Sequence, residues 1–127
     1  MYPQNYYFTK DHEWVAVDGD TATIGISDFA QKQLGDVVFV ELPEIGKHLE
    51  VHQTVGSIES VKAVSEVFSP VSGQVIEANT ALNNAPETIN QDPYAAWMFR
   101  LKPGNPAELT ALMNAAAYAA QVESEAH

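Results

Sequence analysis

Few side chains in this 127-residue sequence are equipped for chemistry. There is no cysteine, which removes disulfides, thiolate metal sites and cysteine nucleophiles, so any sulfur chemistry must arrive on a cofactor. The four histidines, His12, His48, His52 and His127, are scattered. Only His48 and His52 are close. Four apart on one strand they would share a face, yet no third ligand accompanies them and we expect no metal site. The carboxylates are many but dispersed, the pattern of a solvated surface. No nucleophile elbow, phosphate loop or calcium loop is present, so no catalytic residue is expected and the chain does not read as an enzyme.

What remains is Lys62, within Gly56-Ser57-Ile58-Glu59-Ser60-Val61-Lys62-Ala63. A lysine on a turn ordinarily serves solubility. Lysines are rare here, however, and this one lies between a valine and an alanine on an expected hairpin tip. Such a tip is stiff at its base and exposed at its end, which suits a post for a tethered group that visits several active sites. The amine of an exposed lysine is almost wholly protonated at neutral pH, so a dedicated transferase would have to recognise the tip. Acylation would also delete its charge.

Short strands must position that lysine. Glu13 to Ile26 reads as a hairpin turning at Asp18-Gly19. Ser27 and Asp28 start a short helix with Phe29, Ala30 and Leu34 on its apolar face and Gly35 as its stop. Val38, Val40 and Leu42 alternate up to Pro43-Glu44-Ile45-Gly46, and Leu49 and Val51 resume the pattern. Extended segments follow from Val55 to Phe68 and at Val75-Ile76, separated by Pro70-Val71-Ser72-Gly73. An echo at an offset of 27 residues matches Val40, Pro43, Gly46 and Glu50 with Val67, Pro70, Gly73 and Glu77. It pairs Gly35 with Lys62 and suggests two similar β units packed face to face. Asn83 to Pro93 reads as irregular connection, and Trp97, Phe99 and Leu101 as a closing strand. Asn105, Pro106 and Glu108 open a helix expected over 105–122, with Leu109, Leu112, Met113, Ala116 and Ala120 as its stripe and a frayed end from Glu123 to His127. Dense short strands with this punctuation make a β sandwich or barrel.

Six basic residues against seventeen acidic ones give a net charge of −11. That surface repels phosphate backbones and anionic membranes and suits partners with basic faces, so neither nucleic acid nor membrane is an expected partner. The amino end has neither the apolar run of a secretory signal nor the Arg-rich character of a transit peptide, and we expect a cytoplasmic, bacterial-type protein.

The run Glu59-Ser60-Val61-Lys62-Ala63, then Ser69-Pro70-Val71-Ser72-Gly73 and Val75-Ile76-Glu77-Ala78-Asn79, closely resembles the H protein family of the glycine cleavage system. The resemblance extends through His12-Glu13-Trp14, Ile24-Gly25-Ile26-Ser27-Asp28, Leu34-Gly35-Asp36-Val37-Val38, Val40-Glu41-Leu42-Pro43, Ile89-Asn90, Asp92-Pro93-Tyr94 and Trp97-Met98, in the family's order. It implies a mainly β barrel-sandwich hybrid, lipoyl/biotinyl-carrier-like, of two small sheets with a short internal helix and a C-terminal helix. Residues 1–127 would form a single lipoyl-carrier domain, with 105–122 as the appended helix.

The resemblance further implies (R)-lipoate joined as an amide to Lys62, with Val61 and Ala63 where biotin carriers have methionines. Glu59 would help the attaching transferase or ligase choose its lysine. Glu13 would pair with the ammonium end of a loaded arm folded into a surface groove. A solvated strand glutamate at 59 and a solvent-facing Glu13 beside Trp14 are the competing readings. The implied partners are a pyridoxal-phosphate glycine decarboxylase (P protein), an aminomethyltransferase (T protein) and dihydrolipoyl dehydrogenase (L protein), served by a monomer. A lipoate-relay donor is the alternative, and a His48/His52 metal enzyme a third reading. The chain departs from the family at Ala95-Ala96, where glycine usually precedes Trp97, and at Gln53-Thr54.

Overall fold

Apolar alternation folds the chain into short strands whose polar edges meet in two antiparallel sheets. The computed structural model describes residues 2–126, so His127 lies outside the described residues. Strands β1 (Tyr7–Phe8), β2 (Glu13–Asp18) and β3 (Thr21–Ile26) lead into helix α1 (Asp28–Leu34). Then come β4 (Val37–Glu41), β5 (His48–Leu49), β6 (Thr54–Ser60), β7 (Val64–Phe68) and β8 (Gly73–Ala78). Two single-turn helices, α2 (Ala81–Asn84) and α3 (Thr88–Gln91), precede β9 (Phe99–Pro103), a 3-10 helix (Pro106–Ala111) and α4 (Ala115–Ala126).

The larger sheet has the order β1-β2-β3-β9-β8-β5 and the smaller β4-β6-β7. Their inner faces share one core, with Val15, Ile24, Phe99 and Leu101 from one sheet against Val40, Ile58 and Val67 from the other. Burying each such side chain contributes about 1.5–3 kcal/mol, which makes this shared core the main force holding the sheets together. The result is the mainly β, two-sheet architecture expected, with its internal and C-terminal helices. The 27-residue echo is physical: β4 and β7, its two copies, flank β6, while β5 pairs directly with β8 through His48–Gln74 and Leu49–Gly73.

Local chemistry explains the corners. Asp18 pairs with Thr21, and Gly19 at φ +61° takes the first place of the two-residue loop, where a primed turn needs positive φ. The Ser27 hydroxyl caps α1 by accepting from the Ala30 amide at 3.2 Å. Gly35, at φ +80°, ends it by donating to the Gln31 carbonyl at 3.0 Å.

Several expectations give way to tertiary contacts. The helix expected over 105–122 is two pieces, because Met113 exchanges backbone hydrogen bonds with Phe8 at 2.9 and 2.8 Å and interrupts it. Helix α4 then turns Ala115 and Tyr118 inward and leaves Ala116 and Ala120 exposed. It runs on to Ala126, where fraying was expected from Glu123. Asn105 does cap the 3-10 helix, but Glu108 accepts from the Ser72 amide and hydroxyl at 2.8 and 2.9 Å instead of closing a capping box. The closing strand begins at Phe99; Trp97 precedes it, under the Arg100 guanidinium at 3.9 Å. The stretch from Asn83 to Pro93 is largely taken up by α2 and α3. His48 and His52 do not share a strand, since β5 ends at Leu49 and His52 sits in a turn at φ +68°.

Candidate functional site

The β6–β7 hairpin builds the site. Glu59 pairs with Val64, leaving Ser60 to Ala63 as the tip. The Ser60 amide donates to the Ala63 carbonyl at 2.8 Å, and the Ser60 hydroxyl accepts from the Ala63 amide at 3.0 Å. Ser60 itself is 6% exposed, so the tip's base is clamped while its end stays in water. The Val61 amide donates to the Asp36 carbonyl at 3.0 Å, tying the tip to the corner between α1 and β4.

Lys62 is exposed at that tip. Among the described residues the ion pairs are His12–Glu125, Lys32–Asp28, His48–Glu50 and Arg100–Glu77, and none involves Lys62. Its aliphatic stem lies over Gly35, where an added methyl would stand 3.3 Å from Cε. Asn90 braces the same corner. Its side-chain oxygen accepts from the Val37 amide at 2.8 Å, and its nitrogen donates to the Gly35 carbonyl at 2.8 Å and to Gln31 at 3.0 Å.

Beside the tip lies a cleft of about 260 Å³ bordered by His12, Glu13, Phe29, Leu34, Ala63 and Val64. Glu13 is 2% exposed, so it does not face solvent. Its carboxyl accepts from the Thr9 hydroxyl at 2.6 Å and from the Phe68 amide at 3.2 Å, bridging the two sheets. Burial, the largest influence, outweighs these two donors and pushes its pKa up to about 7. Glu59 lies instead on the outer face of β6, exposed. The fold thus keeps Lys62 and Glu59 on one hairpin and sets Glu13 apart, in the wall of the adjoining cleft. A larger cavity of about 350 Å³, lined by Phe8, His52, Leu112 and Met113 among others, includes no residue of the hairpin.

One further cluster organises the cleft. The Tyr118 hydroxyl of α4 lies 2.7 Å from His12 Nδ1 and 2.5 Å from the Ser27 hydroxyl, so one phenol joins the loop before Glu13 to the cap of α1. His12 holds φ +73° there, and its Nε2 meets Glu125 at 3.1 Å. The sequence singles out none of Ser60, Asn90 and Tyr118 for a role. For Ser60 a signal existed, a hydroxyl two residues before the lysine of a tight turn; Tyr118 had none. At the Ala95-Ala96 departure, neither alanine adopts positive φ, and Ala96 is buried, so the turn accommodates both without left-handed backbone.

These residues fit an acyl arm: a stiff exposed post, an amine outside every ion pair of the described residues, and a partly apolar cleft one residue away. Fold and site together fit the class of lipoyl/biotinyl-type carriers, proteins built to hold an acyl arm on an exposed lysine. The family model described as "Glycine cleavage H-protein" matches residues 6–125. The "Glycine cleavage system H protein" of Magnetococcus marinus is 54% identical over 96% of this chain and 88% of its own. The protein of that name from Thermus thermophilus is 48% identical over 98% of both. The crystal structure of a glycine cleavage system H protein from Mycobacterium marinum superposes with a TM-score of 0.87 at 38% identity, covering 94% of this chain and 98% of that one. The chain belongs to the glycine cleavage H-protein family, whose members are the non-catalytic lipoyl carrier subunit of that system. No helix among the described residues is long and apolar enough to cross a membrane.

Proposed function

We propose that Lys62 is the lipoyl attachment point and that residues 1–127 act as one lipoyl-carrier domain, a cytoplasmic monomer. The chain serves three partners in turn: a pyridoxal-phosphate glycine decarboxylase, an aminomethyltransferase and dihydrolipoyl dehydrogenase. When bound, lipoate supplies a disulfide that accepts the aminomethyl group derived from glycine. The chain's residues supply the rest. Ser60 stiffens the tip, and tethering holds the arm at high local concentration before each partner. Glu13 offers a cleft-wall carboxyl, and a cation brought beside it favours its ionised form. Glu59 assists the attaching enzyme in choosing Lys62. A net charge of −11 steers partners that present basic faces.

The observation that supports this reading most is the exposed Lys62 on a clamped tip beside the Glu13 cleft. Reconstitution with a decarboxylase tests it. Glycine-dependent exchange of labelled bicarbonate should require the lipoylated chain and vanish with Lys62→Arg; exchange that persists with Lys62→Arg refutes it. In the same system Glu13→Gln should shorten the lifetime of the loaded form, and an unchanged release rate removes that role.

A further inference from the structure

Four of the seven large apolar side chains exposed among the described residues lie around Lys62, the others being Val17, Ile45 and Ile76. Val38, Phe39, Val61 and Val64 are 50%, 52%, 69% and 63% exposed, all on or beside the hairpin or its neighbour β4. Register arranges them: Phe39 on β4 pairs with Glu59 on β6, and Glu59 with Val64 on β7. Paired residues share a face with Cβ atoms about 4.5–5.5 Å apart, so one row beside the tip reads Phe39, Glu59, Val64. The following outward row is Glu41, Ser57 and Glu66. The three strands carry no lysine or arginine, so their face is carboxylate and hydrocarbon, with Lys62 at the tip and Lys47 at the far margin. An aromatic ring and a valine held in water on either side of a carboxylate add nothing to the isolated fold, and apolar groups clustered like this mark a contact surface.

We propose that the Phe39–Glu59–Val64 row is the docking face for the enzyme that acylates Lys62, which presents an apolar socket bordered by basic side chains. This rests on Lys62 being the attachment point. The choice of partner follows from reach. Amide formation needs Nζ inside the partner's active site, so that partner must cover the row next to the tip. A partner acting at the far end of the finished arm has no such need. In the step itself, neutral Nζ attacks the carbonyl carbon of an acyl adenylate or acyl thioester. The C–N bond forms as the acyl–oxygen or acyl–sulfur bond breaks, the adenylate or thiolate departs with the electron pair, and one Nζ proton passes to solvent. Charge complementarity selects the basic border, because Glu59, Glu41 and Glu66 give the face its sign.

Initial rates of lipoyl transfer onto the full-length chain, read by intact mass, test the proposal. Phe39→Ser should lower the rate at sub-saturating carrier about tenfold, and Phe39→Ser with Val64→Ser further, while the rate at saturating carrier changes less than twofold. Phe39→Leu should restore most of the rate, and Ile45→Ser, an equally exposed apolar residue outside the row, should leave it unchanged. Once fully lipoylated with excess enzyme, Phe39→Ser, whose residue lies outside the Glu13 cleft, should support bicarbonate exchange at the wild-type rate. Wild-type transfer rates in both Phe39→Ser and the double variant overturn the docking face alone. A deficit seen only in exchange assigns the row to the decarboxylase and equally overturns it. A wild-type chain that gains no mass overturns both this proposal and the attachment at Lys62.

Discussion

The stem of Lys62 rests on the bare backbone of Gly35, the residue 27 positions earlier that the internal echo pairs with it. A methyl group at Gly35 would approach Cε to 3.3 Å and Nζ to 3.9 Å. The two corners that the sequence relates by repetition therefore touch in space, and the Val61–Asp36 hydrogen bond joins them. The lysine at the tip is braced by its own counterpart in the echo.

Gly35→Ala should cost about 1–3 kcal/mol of stability. Gly35 has φ +80° and ψ −154°, a region open almost only to glycine, whereas the Lys62 stem is flexible and can yield. Urea denaturation measures this, and a cost below 0.5 kcal/mol, about the scatter of ordinary surface changes, would contradict it.

Asn90→Ala should cost a further site-specific amount, about 1–3 kcal/mol, because it orphans the Val37 amide and the Gly35 carbonyl together. Asn90→Asp keeps an acceptor for Val37 but loses both donations, so its loss should be comparable. Amide exchange at Val37 should accelerate in Asn90→Ala and much less in Asn90→Asp; equal acceleration in both would show that the acceptor does not matter.

Glu13 sets a pH dependence. Its carboxyl titrates near 7 folded and near 4.5 unfolded, so between those values the folded chain holds the extra proton. Stability should therefore fall as pH rises from about 4.5 to 7, by roughly 3 kcal/mol, with the cost fully present above 7. Glu13→Gln, neutral throughout, should lose this slope. A variant whose unfolding midpoint follows the wild-type pH profile would contradict the assignment.

Tyr118→Phe keeps the ring stacked on Phe8 at 4.6 Å but removes the hydroxyl shared by His12 and Ser27. It should cost about 1–2 kcal/mol, and adding Ser27→Ala should cost less than the sum, since both act through one network. Strict additivity in thermal unfolding would separate the two residues.

How much of this was legible beforehand varied with how local the cause was. The β2–β3 hairpin, the Ser27 cap and the Gly35 stop follow from neighbouring residues and stand as expected. The echo showed two related β units, but not that their strands β5 and β8 pair edge to edge in one sheet. The single helix over 105–122 failed because its interruption at Met113 depends on Phe8, over a hundred residues away. The burial of Glu13 was likewise illegible, since it depends on the Phe68 amide reaching it from the other sheet. Asn90 looked like loop composition until three partners converged on it. The exposed place of Lys62 on a hairpin tip was legible from the short strands and small residues around it, whereas its use as an attachment point rests on the family resemblance.

Everything functional depends on Lys62 receiving the acyl group. Lipoylation of the full-length chain and of Lys62→Arg, followed by intact mass and peptide mapping, tests it most directly. We expect one lipoyl increment on the wild-type chain, mapped to the Lys62 peptide, and none on Lys62→Arg. An increment retained by Lys62→Arg, or mapped to Lys10, Lys32, Lys47 or Lys102, would contradict it.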